Sequence, residues 1–248
     1  MSTQQAPCGD EDRDRPQASL WERLDRPAPA PRTTLTPHRI AEAAVAIADT
    51  EGLDAVTMRR LATALGVAPM AAYRYVSGKD ELIELMADFV YGQLPLDAPA
   101  DGWRAAMRSL AVHLRAMNLA HPWMVRAATP FALTPNQLAV PERSFAALAE
   151  HGLDADTTMA IFRTIAGYVH GSVATEVALT VLRRDRDWSD GDETRAGLAP
   201  RMTYLMGTGR YPAYQQYLRQ ATRKDDPAWH FETGLDCVLD GIATHFGI

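Results

Sequence analysis

From residue 36 onward the apolar positions recur every three or four residues, and no segment alternates apolar with polar as a half-buried strand would. That pattern predicts an all-α chain. Thr36 is a good N-cap, Pro37 suits the first helical position, and Ile40, Ala43, Ala44, Ile47 and Ala48 make one apolar face that Gly52 ends. Thr57 starts a second short helix with Met58, Leu61, Ala62 and Leu65 inward and Gly66 as its stop. A third follows at 69–76. Ser77 with Asp80 predicts an acidic variant of the capping box for a fourth, which carries Leu82, Ile83, Leu85, Met86, Phe89 and Val90 to about residue 94. After a break at 95–100, helical stretches are expected near 102–119, 139–151, 155–183, 211–221 and 228–246, with 185–197 read as an acidic loop.

Residues 1–35 differ from the rest. They are rich in proline and charge, lack apolar periodicity, and are expected to be a disordered N-terminal extension, with Trp21 and Leu24 as its only anchoring candidates. The expected organisation is therefore an extension (1–35), a small three-helix domain (36–82) and a larger helical domain (83–248). The 248 residues carry 47% hydrophobic residues, enough for a core, and no stretch of about 20 uncharged apolar residues that would span a bilayer. Cys8 and Cys237 lie far apart without metal-ligand spacing, so no zinc site or other metal site is expected, and a reducing cytoplasmic setting fits.

The formal net charge of −6 disfavours a nucleic-acid partner only if the acids sit where the contact is made. Between Thr57 and Lys79 there are Arg59, Arg60, Arg74 and Lys79 and no acidic residue; the acids cluster in the N-terminal segment and near 185–193. Two short helices meeting at a steep angle need a small residue at the turn and an apolar wedge, here Gly66 with Leu61, Leu65, Val67, Ala72 and Val76. The third helix then directs Pro69, Met70, Ala71, Tyr73, Arg74 and Tyr75 outward. Hydroxyls and a guanidinium on a helix with small neighbours can reach phosphates and base edges, and Thr57 sets free amides where a phosphate binds well. Periodicity alone equally allows a helical hairpin with ordinary surface arginines.

At these residues the chain resembles the tetracycline-repressor (TetR) family of transcriptional regulators. The resemblance runs through Thr57-Met-Arg-Arg-Leu-Ala-Thr-Ala-Leu-Gly-Val67, Tyr73-Arg-Tyr-Val76 and Lys79-Asp-Glu-Leu-Ile83, and continues at His121-Pro-Trp123, Gly152-Leu153, Gly167-Tyr168 and Phe231-Glu-Thr-Gly-Leu235. It implies an N-terminal helix-turn-helix domain and a C-terminal domain for ligand binding and dimerisation. It places phosphate contacts at Thr57, Tyr73, Tyr75 and Lys79, and base contacts at Arg59, Pro69, Met70, Ala71 and Arg74. Pro69, Met70 and Ala71 stand where relatives often carry polar groups, so Arg59 and Arg74 are the expected guanine readers. The implied function is a repressor that binds a palindromic double-stranded operator as a homodimer and is released by a small-molecule effector, with no cofactor and no membrane.

In the larger domain, Phe231, Leu235, Val238, Leu239, Ile242 and Phe246 form one stripe. Periodicity leaves open whether it packs inside the chain or against a second copy; the resemblance favours the dimer interface. Trp103, Met107, Leu110, Leu114 and Met117 share a face, and Trp123, Phe131, Phe145 and Phe162 add aromatic bulk, as plain core or as the wall of a pocket. Candidate ligand contacts are Trp103, Met107, His113, Met117, Trp123, Phe131, Phe162, His170 and Glu176. Glu176 falls on the apolar side of its helix and must pair with something: a cationic ligand, a partner-subunit residue or Arg183. The stretch Val125-Arg-Ala-Ala-Thr129 lacks the histidine of the family's magnesium–tetracycline site, which speaks against that effector. Competing readings are a helix-turn-helix used for protein contact and a helical enzyme; for the latter no GxSxG, HExxH or phosphate-loop pattern is present and no catalytic residue is assigned.

Overall fold

The computed structural model describes residues 19–25, 35–96, 101–127 and 134–248. Every regular element among them is helical. The head consists of α2 (Pro37–Glu51), α3 (Met58–Leu65) and the single turn α4 (Pro69–Ala72), with α5 (Lys79–Tyr91) leading out of it. Local chemistry explains these boundaries. Thr36 accepts the Arg39 amide at 3.2 Å with Pro37 at the first position, and Thr57 accepts the Arg60 amide at 3.1 Å. Gly66, at φ 67°, takes the left-handed conformation that closes α3, where a side chain would be strained. Ile40, Leu61, Ala72, Val76 and Leu82 are fully buried and lock the three short helices into one cluster.

Two expectations here are corrected. α4 is one turn rather than a helix to Val76; the chain continues through turns at 73–75, where the Tyr75 hydroxyl donates to the Leu35 carbonyl at 2.8 Å. Ser77 does not cap α5. Gly78 is the N-cap without a side-chain bond, and the Ser77 amide instead donates to Glu81 Oε2 at 2.7 Å.

The expectation of a disordered extension also fails in part. Residues 1–18 and 26–34 lie outside the described residues, but Leu20–Leu24 form a short helix, α1. Ser19 and Glu22 close a capping box at its start, and Leu20 is buried in the head cluster.

The larger unit holds α6 (Gly102–Ala120), α7 (Met124–Ala127), α8 (Pro135–Leu148), α9 (Ala155–Asp185), α10 (Gly191–Gly207), α11 (Pro212–Gln220) and α12 (Pro227–Phe246). Ile161, Ile165, Val169, Val173 and Val177 repeat every four residues along α9 and face α6 and α12. Arg104 and Arg108 of α6 pair with Glu232, Asp236 and Asp240 along α12. The expected acidic loop at 185–197 is mostly helix: Asp190 caps α10 by accepting the Glu193 amide at 2.9 Å, and Asp192 and Glu193 suit the positive end of the helix dipole. The boundary expected at 82 falls inside α5, whose Leu85, Met86 and Val90 share one cluster with α2 and with Met117, Trp123 and Met124 of the larger unit. Head and body therefore meet through α5.

Candidate nucleic-acid interface and effector cleft

On the head, Thr57, Arg59, Pro69, Met70, Tyr73, Arg74 and Lys79 are exposed, and Met70, at 72% relative exposure, is the most exposed of the large hydrophobic side chains here. A methionine left that open on a four-residue helix is poor packing for an isolated domain and good packing for a groove floor. Arg60 is set apart from its neighbour Arg59: it is tied to Glu51 at 2.6 Å. Ala71 and Tyr75 turn inward and are half-buried against the core, which corrects their outward reading. The Tyr75 hydroxyl holds the start of α2 through the Leu35 carbonyl, so its proton is not available to a phosphate in this geometry.

The candidate effector residues do not converge. Trp103 and Met107 belong to the core beneath α9, whereas Met117 and Trp123 belong to the head cluster. The Trp123 indole donates to Asp49 of α2 at 2.8 Å, and the His121 ring meets the same carboxylate at 2.9 Å, so both rings secure the head–body seam. Phe162 stacks edge-on to Phe145 with centroids 5.9 Å apart, His170 is exposed, and Phe131 lies outside the described residues.

Glu176 finds its partner in Arg115 of α6, not in Arg183, through two hydrogen bonds of 2.8 and 2.7 Å. The same guanidinium lies 5.0 Å from the centre of the Phe231 ring. Its pKa is raised, chiefly by the hydrogen bond to Glu176, with burial opposing. Arg183 instead donates to Thr194 at 2.9 Å. Glu176→Ala should thus leave Arg115 without its fork partner and lower stability by about 1–2 kcal/mol, the low end for an internal pair because water still reaches both groups. Thermal unfolding checks this; an unchanged midpoint would mean that the pair is dispensable.

His113 lines a shallow, open cleft whose enclosed space is about 20 Å³. Its walls are Leu94, Pro95 and Leu96 just after α5, Ser109, Leu110 and His113 on α6, and Arg143 on α8. His113 Nδ1 lies 2.8 Å from the Ser109 carbonyl. In the neutral ring that contact places the proton on Nδ1 and leaves Nε2 as an acceptor. Asp88 of α5 is buried and accepts from the Asn136 amide and its side-chain nitrogen, each at 2.8 Å. This junction of α5 with α8 was not legible beforehand, because its residues are 48 positions apart.

Residues 40–86 match the sequence profile described as bacterial regulatory proteins of the tetR family, and residues 94–246 match that of the tetracyclin repressor-like C-terminal domain. The chain belongs to the TetR family of transcriptional regulators. Among its TetR-family relatives, the transcriptional repressor DrrR1 of Streptomyces coeruleorubidus is 36% identical over 229 residues, covering 90% of this chain and 83% of that protein. An HTH-type transcriptional regulator of Saccharopolyspora erythraea is 31% identical over 236 residues, covering 90% and 92%. The Streptomyces coelicolor TetR-family protein ActR, solved in complex with actinorhodin, superposes with a TM-score of 0.70 at 26% identity, covering 86% of this chain and 97% of that one.

In this TetR-family chain four of the six residues expected at the dimer interface are enclosed within the chain. Phe231, Leu235, Leu239 and Ile242 are buried against α9, with Val238 and Phe246 half-buried in the same cluster. A residue already enclosed by its own chain offers no surface to a second copy. What α9 and α12 leave exposed is the opposite side: Gly167, His170, Gly171 and Thr175 on one helix, Thr233, Cys237, Gly241 and Thr244 on the other. A side chain added at Gly167, Gly171 or Gly241 would meet open space.

Proposed function

We propose that the protein is a repressor that binds a palindromic operator as a homodimer and is released from it by a small-molecule effector. The carrying observation is the exposed surface of α4 and the turn after it, where Met70, Tyr73 and Arg74 stand out of the head flanked by Arg59 and Lys79. Two heads on one dimer read two half-sites, and palindromic sites follow from that symmetry. The second copy has a surface to use. α9 runs 31 residues, its apolar window reaches a mean hydropathy of 1.3, and only 22% of that window is buried within the chain. Arg163 and Glu176 break the apolar run of this continuous helix, so an equally mixed helix from another subunit suits it better than lipid. The working compartment is that of the DNA, the cytoplasm.

The related ActR, solved in complex with actinorhodin, supports a small-molecule effector, and the cleft around His113 is the place we assign to it. Leu94, Pro95 and Leu96 directly follow α5, so a ligand wedged against them acts on the helix that carries the head. It releases DNA only if it binds the released arrangement better than the DNA-bound one.

The test begins with a duplex selected from a random-sequence pool by the full-length protein. Its binding should weaken steeply with salt, as phosphate contacts demand. Failure to enrich any duplex sinks the operator reading. Actinorhodin, used as a probe, should raise the thermal midpoint and dissociate the selected duplex, and His113→Ala should remove both effects. A probe that shifts the midpoint identically in wild type and His113→Ala would place the effector elsewhere.

A further inference from the structure

The short helix α1 is joined to the DNA-facing end of the head at points that a mere tether would not need. Arg23 Nη2 donates to Glu81 Oε2 at 2.5 Å. The same oxygen accepts the Ser77 amide at 2.7 Å. One carboxylate oxygen therefore links α1 to the turn that leaves the reading helix and enters α5. Trp21 adds a second bond, from its indole nitrogen to Glu84 Oε1 at 2.6 Å, while Leu20 is buried in the head cluster.

The charges explain why this matters to DNA. Lys79, the expected phosphate contact, opens α5, and Asp80, Glu81 and Glu84 follow it at once. A carboxylate two residues from a phosphate-binding lysine repels the backbone it must approach, over a distance at which salt screening is incomplete. Arg23 neutralises Glu81. Partial burial raises the Glu81 pKa, but the hydrogen bonds from Arg23 and Ser77 outweigh it and hold the carboxyl below its ordinary value, so the charge remains and needs its counter-ion.

We propose that α1 is a working part of the DNA-reading head, in which Arg23 and Trp21 are positioning residues: Arg23 cancels the Glu81 charge beside Lys79 and braces the Ser77 turn behind the reading helix. The inference rests on the operator reading above. It makes α1 a determinant of affinity, rather than an appendage to the fold.

The test measures fluorescence anisotropy of the full-length chain on the duplex it selects from a random pool. Arg23→Ala should bind about five- to tenfold more weakly, with a loss that shrinks as salt rises. Glu81→Gln keeps an acceptor for the Ser77 amide but removes the charge, so it should bind at least as tightly as wild type. In the double variant the Arg23→Ala loss should vanish, the coupling that marks two residues acting on each other. Trp21→Phe keeps the packing, drops the bond to Glu84, and should show a smaller loss. Thermal unfolding run in parallel separates stability from affinity. Wild-type affinity in Arg23→Ala overturns the proposal, as does a loss that Glu81→Gln does not rescue. If the wild-type chain enriches no duplex, it is the operator reading that fails, and the inference falls with it.

Discussion

Replacing Arg74 with alanine is expected to weaken operator binding by about 10- to 100-fold and to relax preference at one base pair of each half-site. A bidentate arginine–guanine contact is worth about 1–3 kcal/mol of discrimination, which corresponds to that range. Arg74 is exposed in the turn that follows α4, and of its exposed neighbours Pro69 and Met70 offer only apolar contact. Arg60 provides the matched control. It lies in the same basic stretch of sequence but is held by Glu51, so Arg60→Ala should change affinity far less. The measurement is anisotropy on the selected duplex and on single-base variants of it. Equal affinity of Arg74→Ala and wild type would remove the direct reading role and turn attention to shape recognition by Met70 and Tyr73.

The second large effect concerns the long helices. Leu235 is fully buried between α9 and α12, and Leu235→Ala should cost about 2–5 kcal/mol through lost burial and the cavity left behind. At about 2–4 °C per kcal/mol for a chain of this size, the midpoint falls on the order of 10 °C. Gly171→Arg should do the opposite kind of damage. Its position is exposed and a side chain there meets open space within the chain, so the protomer keeps its fold while two copies can no longer approach closely. Thermal unfolding and sedimentation distinguish the two. A stable, monomeric Leu235→Ala would return the stripe to the subunit interface.

The contrast shows what periodicity can and cannot decide. The spacing of Phe231, Leu235, Leu239 and Ile242 establishes that they share a face, but two apolar surfaces can cover such a face with equal energy, one from the same chain and one from another. Only the path of α9 resolves the choice. Glu176 poses the same problem in polar form. Its position on an apolar face required a partner, yet Arg115 is 61 residues away in sequence, and nothing local distinguishes it from Arg183.

Ser19-Leu-Trp-Glu22 and Asp190-Gly-Asp-Glu193 both carry the cap-x-x-Glu signature of a helix start, although proline or acid content marks both segments as irregular. In each, the structure pairs the cap with the third residue on, and a helix follows. Composition averages over a segment, whereas a cap acts at a single peptide group, so a few well-placed residues can override the average.

By itself the sequence determined the helical class, the reading head and the family. Thr36, Pro37, Thr57 and Gly66 act on backbone groups next to them, and the run from Thr57 to Lys79 is contiguous, so each signal is complete within a turn or two of chain. Tertiary structure alone decided the rest: that Tyr75 faces inward, that Trp123 secures a seam with Asp49, that Phe231, Leu235, Leu239 and Ile242 are core, and that Arg23 reaches Glu81. These depend on which distant groups meet, and a pattern of period 3.6 carries the direction of a side chain without the identity of its neighbour.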